Sequence, residues 1–185
     1  MLVVGFGIGF GVMYSYISPR AADIARPIPQ FVPQRASESS MPRVDPAVVK
    51  QLQDTLQSDP KNFAALRELG NIRYDERNFA DAAALYAIAL EIQPDNADVR
   101  ADRGGALLQA DRVDEAIGEL QAALAKEPTH PQALFIYGVA LLEGKGDREG
   151  AIASWKKLVE SHPNLPELEL VKEQIKRVEE LTRRR

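Results

Sequence analysis

The chain of 185 residues carries few side chains able to make or break bonds. It has no cysteine, which excludes disulfides, thiolate metal sites and cysteine nucleophiles. Its two histidines, His130 and His162, each precede a proline, Pro131 and Pro163, in segments that read as turns. Neither has the helical four-residue spacing to a second ligand or a carboxylate pair that a metal site needs. The carboxylates Glu68, Asp75, Asp102 and Glu143 are scattered along solvent-facing helix positions, where a soluble helical protein needs charge in any case. Glycines 5, 7, 9 and 11 begin a G-x-G-x-x-G spacing, but its third glycine falls on Phe10 and no strand-helix-strand pattern follows. No catalytic residue, cofactor or metal is expected, which leaves binding as the activity to account for.

Composition narrows the partner. With 23 Lys and Arg against 27 Asp and Glu, the net charge of -4 offers no broad basic surface for phosphate backbones, so no nucleic acid is expected. The length suits one modest domain with appendages.

Residues 1 to 17 (MLVVGFGIGFGVMYSYI) hold no charged side chain and as a helix would span roughly 25 Å. Tyr14 and Tyr16 suit a membrane interface and Pro19 stops the helix. The absence of a basic start and of a small-x-small cleavage site favours a retained transmembrane anchor, residues 1–18, over a cleaved signal peptide. Gly5 and Gly9, and Gly7 and Gly11, form small-xxx-small pairs through which two such helices can pack as a homodimer; simple tolerance of glycine in membrane helices is the alternative. Residues 19–43, with Pro19, Pro27, Pro29, Pro33, Pro42 and three serines, read as an extended linker. Arg20, Arg26 and Arg35 follow the apolar run, and by the positive-inside rule they place the rest of the chain in the cytoplasm.

Beyond the linker the sequence repeats. Pro60, Pro94 and Pro128 are 34 apart, as are Gly70, Gly104 and Gly138. Three copies follow, 63–96, 97–130 and 131–164, each expected to be two helices with a small residue (Ala82, Ala116, Ala151) and, four later, a large one (Tyr86, Leu120, Trp155). The third copy has one extra residue, assigned to its Gly144-Lys145-Gly146 turn. A hairpin of this kind exposes an apolar stripe that only a stacked neighbour can cover. Residues 44–62, with Val48 and Leu52 in phase with a second helix, are expected to cap one end, and residues 165–185, with Leu168, Val171, Ile175 and Val178 at helical steps, the other. A short coiled-coil seam is the alternative for the last helix.

The Leu69-Gly70 pair, the later alanine and the closing proline resemble the tetratricopeptide repeat family over residues 60–164. The resemblance implies an all-α solenoid of three helix-turn-helix repeats with a helical cap at each end, behind the transmembrane helix. Arg100 and Arg103 depart from it, standing where the pattern prefers large apolar residues. It further implies a concave groove for a protein or peptide, lined by Ala64, Arg67, Glu68, Asn71 and Tyr74, then Asp98, Ala101, Asp102, Gly105 and Leu108, then Gln132, Phe135, Ile136, Val139 and Leu142. Such a lining runs from polar to apolar, unless Phe135, Ile136 and Val139 pack under the C-terminal cap. Chaperone-tail-binding members clamp a terminal carboxylate; Arg67 and Asn71 match that clamp, but Asp102 replaces an amide and Gln132 and Ile136 replace cations, so no tight binding of such a tail is expected.

The segment AIASWKKLVESHPNLPELELVKEQI also resembles the repeat module of cytochrome c biogenesis membrane proteins, which implies a single-pass protein of a bacterial inner membrane with its repeats outside the cytoplasm, against the arginine count. The resulting reading is a membrane-anchored interaction scaffold; self-assembly through the membrane helix and end-to-end stacking is its rival.

Overall fold

Eight helices and no strand make up the described residues, 44–166 and 168–183, of the computed structural model. They are α1 (Pro46–Ser58), α2 (Phe63–Asp75), α3 (Phe79–Ile92), α4 (Ala97–Gln109), α5 (Val113–Lys126), α6 (Pro131–Val139), α7 (Arg148–Ser161) and α8 (Leu168–Arg183), with α6 running on into a π-helical turn, Ala140–Gly144. The expected membrane anchor, its glycines and the proline linker lie outside the described residues. Among the described ones no helix is long and apolar enough to cross a membrane.

The chain divides into two units, residues 1–51 and 52–185, and the second holds the repeats. Helices α2 and α3, α4 and α5, and α6 and α7 pair within repeats, while α3 meets α4 and α5 meets α6 between them. First helices of successive repeats also meet, α4 against α6, and α8 covers α7.

The 34-residue glycine period has a direct cause. A Cβ on Gly70 would lie 2.6 Å from the Tyr86 ring, and one on Gly104 would lie 2.7 Å from Leu120 Cγ. In the third repeat the same overlap would fall on the Trp155 indole. The glycine of each first helix is thus the socket for the large residue of the second, and Tyr86, Leu120 and Trp155 are at most 2% exposed. Ala82, Ala116 and Ala151, wholly buried, keep the paired backbones close. In the third repeat, Trp155 Nε1 and Ser154 Oγ donate to the Phe135 and Leu134 carbonyls at 3.1 and 2.7 Å, so the close approach is also hydrogen-bonded.

Caps recur with the same period. Asn62 Oδ1 accepts from the Ala65 N–H, Asn96 Oδ1 from Val99 N–H, and His130 Nδ1 from Ala133 N–H, at 3.0, 3.0 and 3.2 Å. The hairpin tips are alike too: Arg77, Asp111 and Gly146 take φ of 63°, 62° and 68°. Around Arg77 and Asp111 the bonds form Schellman caps, Asn78 N–H to the Arg73 carbonyl with Arg77 N–H to Tyr74, and Arg112 N–H to Leu107 with Asp111 N–H to Leu108. In the third repeat the longer bond spans one residue more, from Asp147 N–H to the Leu141 carbonyl. The extra residue assigned to the turn is therefore absorbed by the widened π-helical turn, and the left-handed tip residue keeps its place.

The two ends differ. In α8, Leu168, Val171, Ile175 and Val178 are buried, as a C-terminal cover requires, and Lys156 of α7 meets Glu179 at 2.7 Å. Helix α1 has no fully buried residue: Val48 is 41% exposed and Leu52 is half-buried.

Arg100 and Arg103 fit the second repeat by ion pairing in place of apolar packing. Both reach Glu119 of α5, Arg100 Nη1 at 2.8 Å, and Arg100 also donates through Nε and Nη2 to the Pro94 carbonyl at 3.0 and 2.7 Å. One carboxylate holding two half-buried guanidinium groups is costly to remove and gives little net stability while intact.

Two outcomes follow for equilibrium unfolding followed by the fluorescence of Trp155, the sole tryptophan. Gly70→Ala gains about 1 kcal/mol of helix propensity but overpacks an immobile ring at up to about 3 kcal/mol, for a net loss of about 2 kcal/mol. Glu119→Leu alone loses about 2 kcal/mol, whereas the triple change of Arg100, Arg103 and Glu119 to leucine is neutral or stabilising.

Candidate functional site

The first helices α2, α4 and α6 bring the predicted lining residues onto successive repeats, but only part of that lining is accessible. Arg67, Asn71, Tyr74, Asp102, Gln132 and Leu142 are half-buried, and Ala64, Glu68 and Asp98 are exposed. Ala101, Gly105 and Leu108 are buried, as are Phe135, Ile136 and Val139. The greasy end expected in the third repeat is thus part of the core. Ile136 Cδ1 would lie 3.3 Å from a Cβ on Gly105, so it packs into the glycine gap of the neighbouring repeat, and Phe135 lies 6.4 Å, centroid to centroid, from Trp155. The accessible face is polar throughout, apart from Ala64, Tyr74 and Leu142.

Its polar groups are tied together across repeats. Asp102 Oδ1 accepts from Gln132 Nε2 at 2.8 Å, and its Oδ2 lies 3.9 Å from Arg67 Nε, so one carboxylate links all three first helices. Asn71 looks inward: its Oδ1 accepts from the buried Tyr86 hydroxyl at 2.8 Å. Burial, together with the negative charges of Asp102 and Asp75, pushes the Tyr86 hydroxyl upward, and it stays a neutral donor. Tyr74 meets Phe79 edge to face at 5.3 Å.

His130, read from sequence as a turn histidine, is a buried linker. Because Nδ1 accepts the Ala133 N–H, the ring proton sits on Nε2 and is donated to Asp98 Oδ1 at 2.9 Å. The bond joins the start of α6 to that of α4. His162 stands at the end of α7 with Nδ1 2.9 Å from Ser161 Oγ, far along the chain from His130. Among the described residues no group of three or more His, Asp or Glu side chains could hold a metal ion. The sequence reading missed Asn62, Asn96 and the capping role of His130; their 34-residue spacing was the available signal.

The two bridging aspartates are perturbed in opposite senses. The His130 hydrogen bond outweighs burial and holds the Asp98 carboxyl below the ordinary value of 3.8. Burial outweighs Gln132 and Arg67 and pushes Asp102 above it.

Stacked helical hairpins of a 34-residue period with a polar inner face define a helical repeat protein. Two family models, each described as Tetratricopeptide repeat, match residues 73–134 and 132–165, together half of the chain. The chain belongs to the tetratricopeptide repeat family. Over 68 residues it is 34% identical to the TPR repeat-containing thioredoxin TTL4 of Arabidopsis thaliana, a match covering 37% of this chain and 10% of that protein. The chain thus spans about a tenth of the length of that curated relative. Among solved structures it is similar to MamA (TM-score 0.60, 22% identity, 73% of this chain and 81% of that one). It is also similar to the first TPR domain of Spaghetti (RPAP3), solved with the HSP90 peptide SRMEEVD (TM-score 0.60, 18% identity, 67% and 95%). At these identities the likeness is one of fold.

The opposed shifts give opposed pH responses. Asp98, depressed when folded, contributes stability that is full above its unfolded value and is lost as pH falls through the folded one. Asp102, raised when folded, costs stability above its folded value, and that cost vanishes on acidification. Urea titrations at pH 7 and about pH 3 are expected to show Asp98→Asn less stable than wild type by about 1 kcal/mol at pH 7, with the gap closing in acid. Asp102→Asn is expected to match or exceed wild type at pH 7 and to lose any advantage in acid.

Proposed function

We propose that this chain is a non-enzymatic scaffold whose repeat domain holds a protein or peptide partner on the inner face of its first helices, tethered to a membrane by residues 1–18. The observation that carries the reading is the face itself. It is an accessible strip of polar side chains from three repeats, held rigid by the Asp102 and His130 bridges, with no catalytic grouping beside it. A pre-ordered face loses little side-chain entropy when a partner settles on it. The peptide-bound RPAP3 domain supports the use of such a fold for peptide capture. The acidic peptide bound there is not the expected ligand here, because Asp102 engages both Arg67 and Gln132. The tether rests on the uncharged run 1–17, and the narrower role in cytochrome c maturation on the resemblance of residues 151–175 alone.

Ala64→Trp tests the reading, since it adds bulk to an exposed position of the face and touches none of its hydrogen bonds. The full chain and the variant, purified from their own membranes after cross-linking, are compared by mass spectrometry, with matched melting curves. Loss of a partner by at least tenfold in the variant is expected; the same partners in the same amounts would move binding off this face.

A further inference from the structure

The inner face of an array can be matched to partners of either charge, and in this chain the balance of charges on it is one-sided. Among the fifteen lining positions the cation is Arg67, and its guanidinium is turned toward Asp102. Against it stand Glu68, Asp98 and Asp102, with Asp75 one helical position beyond Tyr74. Glu68 and Asp75 are exposed, and the Asp98 side chain keeps 61% of its surface open although His130 binds one of its oxygens. His130 brings no open positive surface, because its ring is buried with Nδ1 committed to the α6 cap.

The carboxylates also feel one another. Glu68 and Asp75 lie seven residues apart on α2, and the charge of Glu68 adds to partial burial in holding the Asp75 carboxyl above its ordinary value. Arg67 offsets part of the negative charge at Asp98 and Asp102, while Glu68 and Asp75 are exposed. A ligand that brings positive charge relieves it, and one that brings a carboxylate adds to it. Half-buried Tyr74 supplies an aromatic face next to these charges, the kind of surface on which an arginine or lysine head settles.

Resting on the proposed function, we infer that the partner segment held on this inner face is cationic, a stretch of a partner protein carrying several arginines or lysines. The carboxylates of Glu68, Asp75 and Asp98 meet its charges, and Tyr74 covers one of its side-chain stems. Recognition is then steered by charge and weakens as salt rises.

The experiment uses the full chain in an uncharged detergent and four fluorescent peptides read by polarisation. Three are dodecamers of one serine-glycine frame bearing four arginines, four glutamates or no charge, and the fourth is residues 19–43 of this chain. The arginine peptide is expected to bind at least tenfold more tightly than the uncharged one, with the glutamate peptide weakest. The preference is expected to shrink severalfold between 50 and 300 mM salt, values chosen to take the Debye length from about 14 to about 6 Å. Glu68→Gln with Asp75→Asn is expected to lose at least fivefold of the arginine-peptide affinity, and Glu91→Gln, an exposed change on α3, none.

Equal binding of arginine and uncharged peptides overturns the cationic assignment and leaves the scaffold reading standing. Binding unaffected by the double variant, or no binding by any peptide, overturns it too. Tightest binding by residues 19–43 assigns the face to the chain's own linker instead of a partner. The scaffold reading fails separately, through the Ala64→Trp comparison, which reads partner loss whatever the partner's charge.

Discussion

The contact of a bare glycine backbone with a buried ring or leucine is the constraint on which the array rests. Each hairpin closes only as far as the side chain opposite its glycine allows, so Gly70, Gly104 and Gly138 set the separation of the paired helices. That separation fixes where the outer ridges of the hairpin stand, and hence how the next repeat seats. Tyr86, Leu120 and Trp155 differ in shape, but each fills the same socket, and the variation is taken up by local hydrogen bonds such as Tyr86 to Asn71 and Trp155 to Phe135. Helical propensity alone would not hold such short helices; the socket, repeated, makes the stack cooperative.

To that apolar frame the second repeat adds a set of polar contacts. Glu119 gathers Arg100 and Arg103 between α4 and α5, while Asp98 and Asp102 reach forward to His130 and Gln132 of the third repeat. These bonds are directional, where apolar packing tolerates small slides. Their net energy is modest, but they hold the third repeat to the second in one rotational setting and keep the inner face in a single arrangement.

The fold was legible because its constraint writes itself into the sequence as a period: glycine, alanine, large residue and proline recur at fixed places. The same period carried the Asn62, Asn96 and His130 caps, which were missed because a histidine is a rare cap and the eye goes to its chemistry instead. The lining was only half legible. Family positions give the side of a helix but not how deeply a side chain sinks, and Phe135, Ile136 and Val139 sink because Gly105 leaves room for Ile136 and Trp155 draws Phe135 inward. The pairing of Arg100 with Glu119 had no local signature, since the partners lie on different helices.

The π-helical turn at Ala140–Gly144 shows how the array treats a length error. An added residue inside a helix would ordinarily rotate everything after it by about 100°, carrying Trp155 out of its socket. Here the surplus is confined to one loosened turn just before the tip that reverses the chain, and that turn still packs on the second repeat, Gly144 against Val113 with Lys145 paired to Asp114. The one surplus residue taken up in this turn is therefore silent to the Trp155 socket beyond it, and the inner face stays in register.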